Sequence, residues 1–272
     1  MKKKVFSPLL SVMAFMLLAG QVAAKSQVNI QHVANEGVLI STESVSVVID
    51  GLFNSTYPQF ASPSEAQIST MVSPQSENSV SYILVTHNHS DHSTPEILAD
   101  ALCQKTAIKL IAPDDVSFAV HDRLSSECPT ASQDQIIRLP HYLDQAFEYS
   151  DSHIKVSASP VQHSGEEYAD MRHSAFVLTV GGKNILHLGD SAVVSAKAER
   201  SKFAGTIDAV IMPIWFVSDE AGLAFINSQF GDAEKIVSHI HIAHQDAMKE
   251  LVQGELKGFH AFTNGSDVVS LF

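Results

Sequence analysis

Short apolar runs rich in β-branched residues alternate along this chain with longer amphipathic stretches, and that alternation sets the expected elements. Residues 28–33, 37–41 and 45–49 read as an opening meander of strands, because β-branched side chains suit a pleated, half-covered surface. After the polar stretch Gln75-Ser76-Glu77-Asn78-Ser79, the run Ser81-Tyr82-Ile83-Leu84-Val85 is mostly apolar, which predicts a strand covered on both faces. Residues 95–102 are expected to be helical, reached through Ser93-Thr94, with Pro95 in the first turn where its missing N–H costs nothing. Further strands are expected at 108–112, 154–159, 175–180, 184–188, 209–213 and 235–240, and further helices at 114–124, 192–203, 220–229 and 244–253. Gly181-Gly182-Lys183 is expected to join two of these strands as a hairpin. Strands first, then strand–helix alternation in both halves, imply an α/β fold with helices packed on sheets. The pattern leaves open whether there is one doubly wound sheet or two facing ones. No repeat, low-complexity tract or proline-rich linker interrupts it, so residues 25–272 are expected to form a single domain.

The first two dozen residues fall outside this alternation. Lys2, Lys3 and Lys4 precede an apolar stretch over 5–18, and Gln21-Val22-Ala23-Ala24 then offers small residues for cleavage. This is the layout of a secretory signal peptide over residues 1–24, too short in its apolar part for a span of roughly 20 residues. The expected mature protein is periplasmic or secreted, with no stable membrane insertion. Seventeen basic and 30 acidic residues give a formal charge of −13, and loss of the leader lysines makes it more negative. Such a surface repels phosphate backbones, and no basic stripe with interleaved aromatics is present. Nucleic acid is therefore not expected as a partner, and a small-molecule substrate is. In an oxidising compartment the two cysteines, Cys103 and Cys128, are expected to pair, a bridge that stabilises by on the order of 3 kcal/mol.

The densest chemistry lies in Thr86-His87-Asn88-His89-Ser90-Asp91-His92. At an extended strand end, His87 and His89 project to one side because side chains alternate with period two, so both can grip one cation. Asp91 and His92, at the turn that follows, can face a neighbouring one. Imidazole and carboxylate donors without a thiolate suit zinc, and leave manganese and iron open. The alternative, a histidine-rich polar loop, is disfavoured because histidine is uncommon and the cluster abuts an apolar strand.

This run resembles the His-x-His-x-Asp-His motif of the metallo-β-lactamase fold superfamily. Gly37-Val38-Leu39-Ile40 and Val47-Val48-Ile49-Asp50-Gly51 look like that family's first strands, Gln162-His163-Ser164-Gly165 like its third motif, and His187-Leu188-Gly189-Asp190-Ser191 like its fourth. The resemblance implies a four-layered αββα sandwich and a site for two divalent metal ions. One ion would be held by His87, His89 and His163. The second would be held by Asp91, His92 and a final histidine, with Asp190 and a hydroxide bridging the pair and Asp50 supporting the ligands. His241 fits the final position best, with His239 and His244 as competitors. Asp91 and Asp190 are the expected catalytic carboxylates, since paired cations lower a water's pKa and stabilise developing charge.

The implied reaction is hydrolysis of an ester, lactone, amide or phosphodiester bond in a small or medium substrate. A lactonase- or phosphodiesterase-like branch is favoured over a true β-lactamase, because known zinc β-lactamases generally lack an aspartate where this chain has Asp190. A glutathione thioesterase would lack its usual cofactor outside the cell, and a nuclease would face an acidic surface. A metal- or partner-binding protein without turnover is the reading from another class. His173 and Trp215 are weaker candidates for shaping a pocket. His121, His141, His153 and His260 have no motif context.

Overall fold

Alternation along each strand splits its apolar side chains between two faces, and in this protein both faces are covered. The computed structural model describes residues 27–76, 79–128, 131–140, 146–203 and 205–272. The expected leader and His141 lie outside them. One sheet contains β1 (Val28–Ala34), β2 (Gly37–Ser41), β3 (Ser46–Ile49), β4 (Tyr82–Leu84), β5 (Lys109–Pro113), β6 (Ile136–Leu139) and β14 (Val268–Leu271), ordered β14-β1-β2-β3-β4-β5-β6. The other contains β7 (Phe147–Ser150), β8 (Ile154–Pro160), β9 (Ser174–Val180), β10 (Lys183–His187), β11 (Ala209–Pro213), β12 (Glu234–Ser238) and β13 (Phe259–Ala261), ordered β13-β12-β11-β10-β9-β8-β7. Each sheet is half antiparallel meander and half parallel, the change falling at β3 in the first and at β10 in the second. Gly181 and Gly182, both at positive φ, make the expected hairpin between β9 and β10.

Three cores follow from the alternation. Val38, Ile40, Val47, Ile49 and Leu84 face Val156, Phe176, Leu178, Ile185 and Ile211 between the two sheets. Their chain neighbours Leu39, Val48, Ile83 and Leu110 meet a layer of helices, α1 (Glu65–Val72), α2 (Pro95–Gln104) and α3 (Asp114–Glu127). On the far side, Val177, Leu186, Val210 and Val237 meet α4 (Val193–Ala198), α5 (Trp215–Ser218), α6 (Glu220–Gln229) and α7 (Gln245–Gln253). Each fully buried aliphatic side chain contributes about 1.5–3 kcal/mol, so both faces of every central strand hold the layers together. The result is an αββα sandwich with two mixed sheets. Cys103 near the end of α2 and Cys128 just after α3 form the expected disulfide, with Cα atoms 6.0 Å apart.

The departures from expectation have physical causes. β6, β7, β13 and β14 lie at sheet edges, and exposed Arg138, Glu148 and His260 break the apolar signal in three of them. The stretch expected as one helix over 192–203 breaks after Ala198 and resumes as a single 3₁₀ turn, Arg200–Lys202. β12 stops at Ser238, short of the expected residue 240, and this shortening reshapes the site.

Candidate metal centre

The segments that follow β4, β8, β10 and β12 converge at one rim of the sandwich, with the β1–β2 turn beneath them. In α/β sheets the carboxyl ends of parallel strands are where ligand sites form, because chain reversals leave a crevice there. Asp50, just after β3 and at a φ of 49°, organises the loop after β4. Its Oδ1 accepts from Thr86 N (2.8 Å) and its Oδ2 from Thr86 Oγ1 (2.5 Å). Since the Thr86 hydroxyl proton goes to Asp50, Thr86 Oγ1 can only accept from His87 Nδ1 (2.9 Å), which leaves His87 Nε2 as a lone pair. Asp50 Oδ2 also meets His92 Nδ1 at 2.9 Å, so His92 likewise presents Nε2. His163 Nδ1 faces the carbonyl of Ser164 at 2.5 Å and presents Nε2 in its turn.

Asp190 arrives after β10 through Gly189, whose φ is 52°. A Cβ at Gly189 would meet His173 Nε2 at 2.5 Å, so the approach requires glycine. The Asp190 carboxylate stands between two groups of nitrogens. Its Oδ2 lies 3.3 Å from His163 Nε2 and 3.2 Å from His239 Nε2, and its Oδ1 lies 3.3 Å from His92 Nε2. His87 Nε2 and His89 Nδ1 approach to 3.0 Å. Donor atoms of His87, His89, His163 and Asp190 lie within 4.8 Å of one another, and so do those of Glu36, His92, Asp190 and His239. A third grouping, Asp50 with His87 and His92, has its Asp50 oxygens already engaged by Thr86 and His92.

The residues fit metal ions on grounds of their own. His92 Nε2, His163 Nε2, His239 Nε2, Asp190 Oδ1 and both Glu36 carboxyl oxygens are buried without a well-directed hydrogen bond. A buried polar atom without a good partner costs about 1–3 kcal/mol, and these atoms meet little but one another, the three imidazole nitrogens lying 3.2–3.3 Å from the Asp190 oxygens. Cations placed among them remove that cost. These buried His/Asp clusters are consistent with a dinuclear metal site.

Most expected residues meet here, with one exchange. His87, His89, His92, His163 and Asp190 converge, and Asp91 sits beside them with its Oδ2 3.5 Å from His239 Nε2. His239 takes the place expected for His241. The strand ends at Ser238, and His239 adopts a left-handed φ of 53°, which turns its side chain inward. His241 caps the next 3₁₀ turn, its Nδ1 accepting from Ala243 N at 3.0 Å, and His244 is exposed. His173 is buried behind His87, ring centroids 5.0 Å apart, its Nδ1 facing the carbonyl of Val161. Glu36 belongs to the second cluster and carries no sequence signal, since a lone acid in a turn between strands reads as a solvated surface residue.

The two groups differ electrostatically. Burial, with nearby His163 and His92, pushes His89 down to about 4, and burial pushes His173 down to about 3. Burial also lowers His87 well below its ordinary value. Burial opposes charge on His92 and His239 too, but adjacent carboxylates outweigh it. Asp190 and Asp50 raise His92, and Asp190 with Asp91 pushes His239 up to about 10. For Asp190 the penalty of burial is overcome by His239 and His92, which hold it well below the usual carboxylate range.

Above the clusters opens a cleft of about 260 Å³, with Asp91, His163, Asp190 and His239 at its floor and Tyr57, Phe60, Tyr168 and Trp215 in its walls. Trp215 is fixed by its Nε1 donating to the carbonyl of Ser191 at 2.9 Å, and Phe60 packs edge-on against His239, centroids 4.4 Å apart.

A family model described as a β-lactamase superfamily domain matches residues 46–255. No curated protein matches the sequence. Among solved structures, isothiocyanate hydrolase from Delia radicum gut bacteria superposes with a TM-score of 0.61 at 12% identity, covering 90% of this chain and 99% of that one. A metallo hydrolase from the archaeon Ignicoccus hospitalis gives 0.59 at 13% identity over 90% and 99%. The metallo-β-lactamase fold protein YhfI from Bacillus subtilis gives 0.56 at 13% identity over 91% and 100%. At these identities the structures share the fold, while the family match spans most of the chain and contains every converging histidine. The chain belongs to the β-lactamase superfamily, and it is a metal-dependent hydrolase of the metallo-β-lactamase fold.

Proposed function

We propose that this protein is an exported dinuclear metallohydrolase that cleaves a small, neutral ester or lactone. One observation carries the reading: the shared carboxylate of Asp190 lies at the floor of a cleft with aromatic walls and, among the described residues, no lysine or arginine in its lining. His87, His89 and His163 would hold one ion and Asp91, His92 and His239 the other, with Asp190 serving both. Bound there, two divalent ions supply Lewis acidity, acidifying a water and polarising the acyl oxygen. Zinc suits the imidazole donors, and manganese or iron the carboxylates.

The chain's own groups do the rest. Asn35 Nδ2 donates to Asp91 Oδ2 at 3.0 Å and fixes that carboxylate at the cleft floor. No hydrogen bond among the described residues engages Asp91 Oδ1, so this oxygen is placed to take a proton from water and return it to the leaving group. Burial, together with nearby Asp91, raises Tyr57 above its ordinary value, so it stays a neutral donor at the wall. Among the described lining residues no guanidinium or ammonium group adds to what the ions would offer a phosphodiester, so the wall contributes nothing to holding a charged substrate. One fold relative is an isothiocyanate hydrolase, and an isothiocyanate is likewise a small, neutral electrophile, which supports the reading. The leader-like residues 1–24 and the Cys103–Cys128 bridge support export.

The test is a panel of neutral aryl esters, lactones, an aryl phosphodiester and a chromogenic cephalosporin, run on metal-loaded protein. Turnover of an ester or lactone is expected to exceed the others by at least about tenfold in kcat/KM, the scale of about 1.4 kcal/mol in transition-state binding. Preference for the phosphodiester overturns the neutral-substrate reading. Inactivity on the whole panel with two ions bound favours the metal-binding alternative.

A further inference from the structure

A two-residue turn between strands ordinarily faces water, and its positive φ angles favour Asn, Asp and Gly there. The turn Asn35-Glu36 between β1 and β2 does the opposite: Asn35 is 3% exposed and Glu36 0%. Asn35 takes a left-handed φ of 48°, and its carbonyl accepts from His239 N at 3.3 Å. The carbonyl of Glu36 faces His187 Nε2 at 3.1 Å, and the Asn35 side chain is committed to Asp91. Gly37 permits this insertion, since a Cβ there would meet the carbonyl of Asp50 at 2.5 Å. The turn is therefore held under the metal centre by its backbone and by Asn35, and the Glu36 carboxyl is the group left over.

Both oxygens of that carboxyl are buried without a well-directed hydrogen bond, and the one side chain close enough to share a proton with it is another carboxyl, Asp190. Ionised there without compensation a carboxylate would cost several kcal/mol, so burial and the neighbouring Asp190 hold the Glu36 carboxyl well above the usual carboxylate range, and only a cation seated beside it can take the proton's place. The protein cations that act on it are the imidazoles of His92 and His239, while Asp190 repels it. Its donor atom lies within 4.8 Å of those of His92, Asp190 and His239, a spacing that can enclose one ion.

We propose that Glu36 is a ligand of the second metal ion, closing its coordination on the buried side, opposite the cleft. The proposal rests on the two-ion reading of the site. It makes the second position richer in oxygen than the first, which has three imidazoles and the shared Asp190. A position with more carboxylates favours harder cations than one dominated by imidazole.

The test is stepwise metal binding by full-length protein stripped with a chelator and titrated with Co²⁺, followed by chelator competition and visible absorption. Wild type is expected to take two ions. Glu36→Gln, nearly the same shape without the charge, should bind the first ion within threefold of wild type and the second about 100-fold more weakly, with the second Co²⁺ band altered. If the side chain only shares a hydrogen bond with Asp190, the amide can replace it, and both affinities and the spectrum stay at wild-type values; that overturns the proposal. Glu36→Asp, which keeps the charge and shortens the reach, guards against a folding defect and should weaken the second ion alone. Equal weakening at both positions in Glu36→Asp also overturns it. Wild type binding fewer than two ions would sink the two-ion reading itself, an outcome distinct from failure of Glu36 alone.

Discussion

The two groups of donors that share Asp190 are built on opposite principles. His87, His89 and His163 form an imidazole-rich group, and His89 is only half-buried at its edge. Burial holds His87 and His89 neutral, so their lone pairs stand ready for an ion near neutral pH. His92 and His239 lie among carboxylates, which raise both well above the ordinary histidine value. Without metal, that second group is balanced by protons. The contrast teaches that a metal centre can be preorganised in two ways: by removing water from neutral ligands, or by placing carboxylates so that a proton occupies the cation's place until the ion arrives.

Removing what the two groups share should have the largest effect. Asp190→Asn keeps the shape but loses the charge between them. We expect kcat/KM to fall by at least about 10³-fold, roughly 4 kcal/mol of transition-state stabilisation, with fewer than two ions retained by mass spectrometry. Activity within tenfold of wild type would show that the sharing is incidental.

The second group can be tested alone. His239→Ala is expected to lower kcat/KM by about 10²-fold and release the second ion, while His241→Ala stays within about threefold of wild type. The reverse ranking would restore the register that the family resemblance implies.

The smallest effect concerns pH in the metal-free protein. His239 has a folded-state pKa of about 10 against an ordinary 6.5, so its stabilisation is complete below pH 6.5 and lost as pH rises through 10. His89 has the opposite sign: at about 4 against 6.5, its neutral form favours folding above pH 6.5, and that contribution is lost as pH falls toward 4. Urea denaturation of chelator-stripped protein should therefore show stability declining on both sides of pH 6.5. Loading with metal should remove the alkaline decline, because the ion replaces the proton on His239. An unchanged alkaline limb after loading would argue that His239 binds no ion.

Much of this was legible from the chain. The central strands announce themselves because alternate residues reach different cores, as Ile83 and Leu84 do. The edge strands do not, since Glu148 and His260 meet solvent and dilute the pattern. Within the site, His87, His89, Asp91 and His92 are legible as a group because they are chain neighbours whose side chains a short loop can direct together. His163 and Asp190 became candidates only through resemblance to a family, since one histidine or aspartate at a strand end is otherwise commonplace.

The sequence by itself determined the central strands, the disulfide pair and the neighbouring donors His87, His89, Asp91 and His92 as a group, because alternation and close spacing act over a few residues and two cysteines allow a single pairing. Only the tertiary structure decided between His239 and His241, and only it placed Glu36. The first turned on where β12 ends and on one left-handed residue whose N–H is bound by Asn35 from across the fold. The second turned on burying a hairpin turn beneath strands that come from the other half of the chain. Both are settled by what packs against a residue, and no local pattern of side chains carries that information.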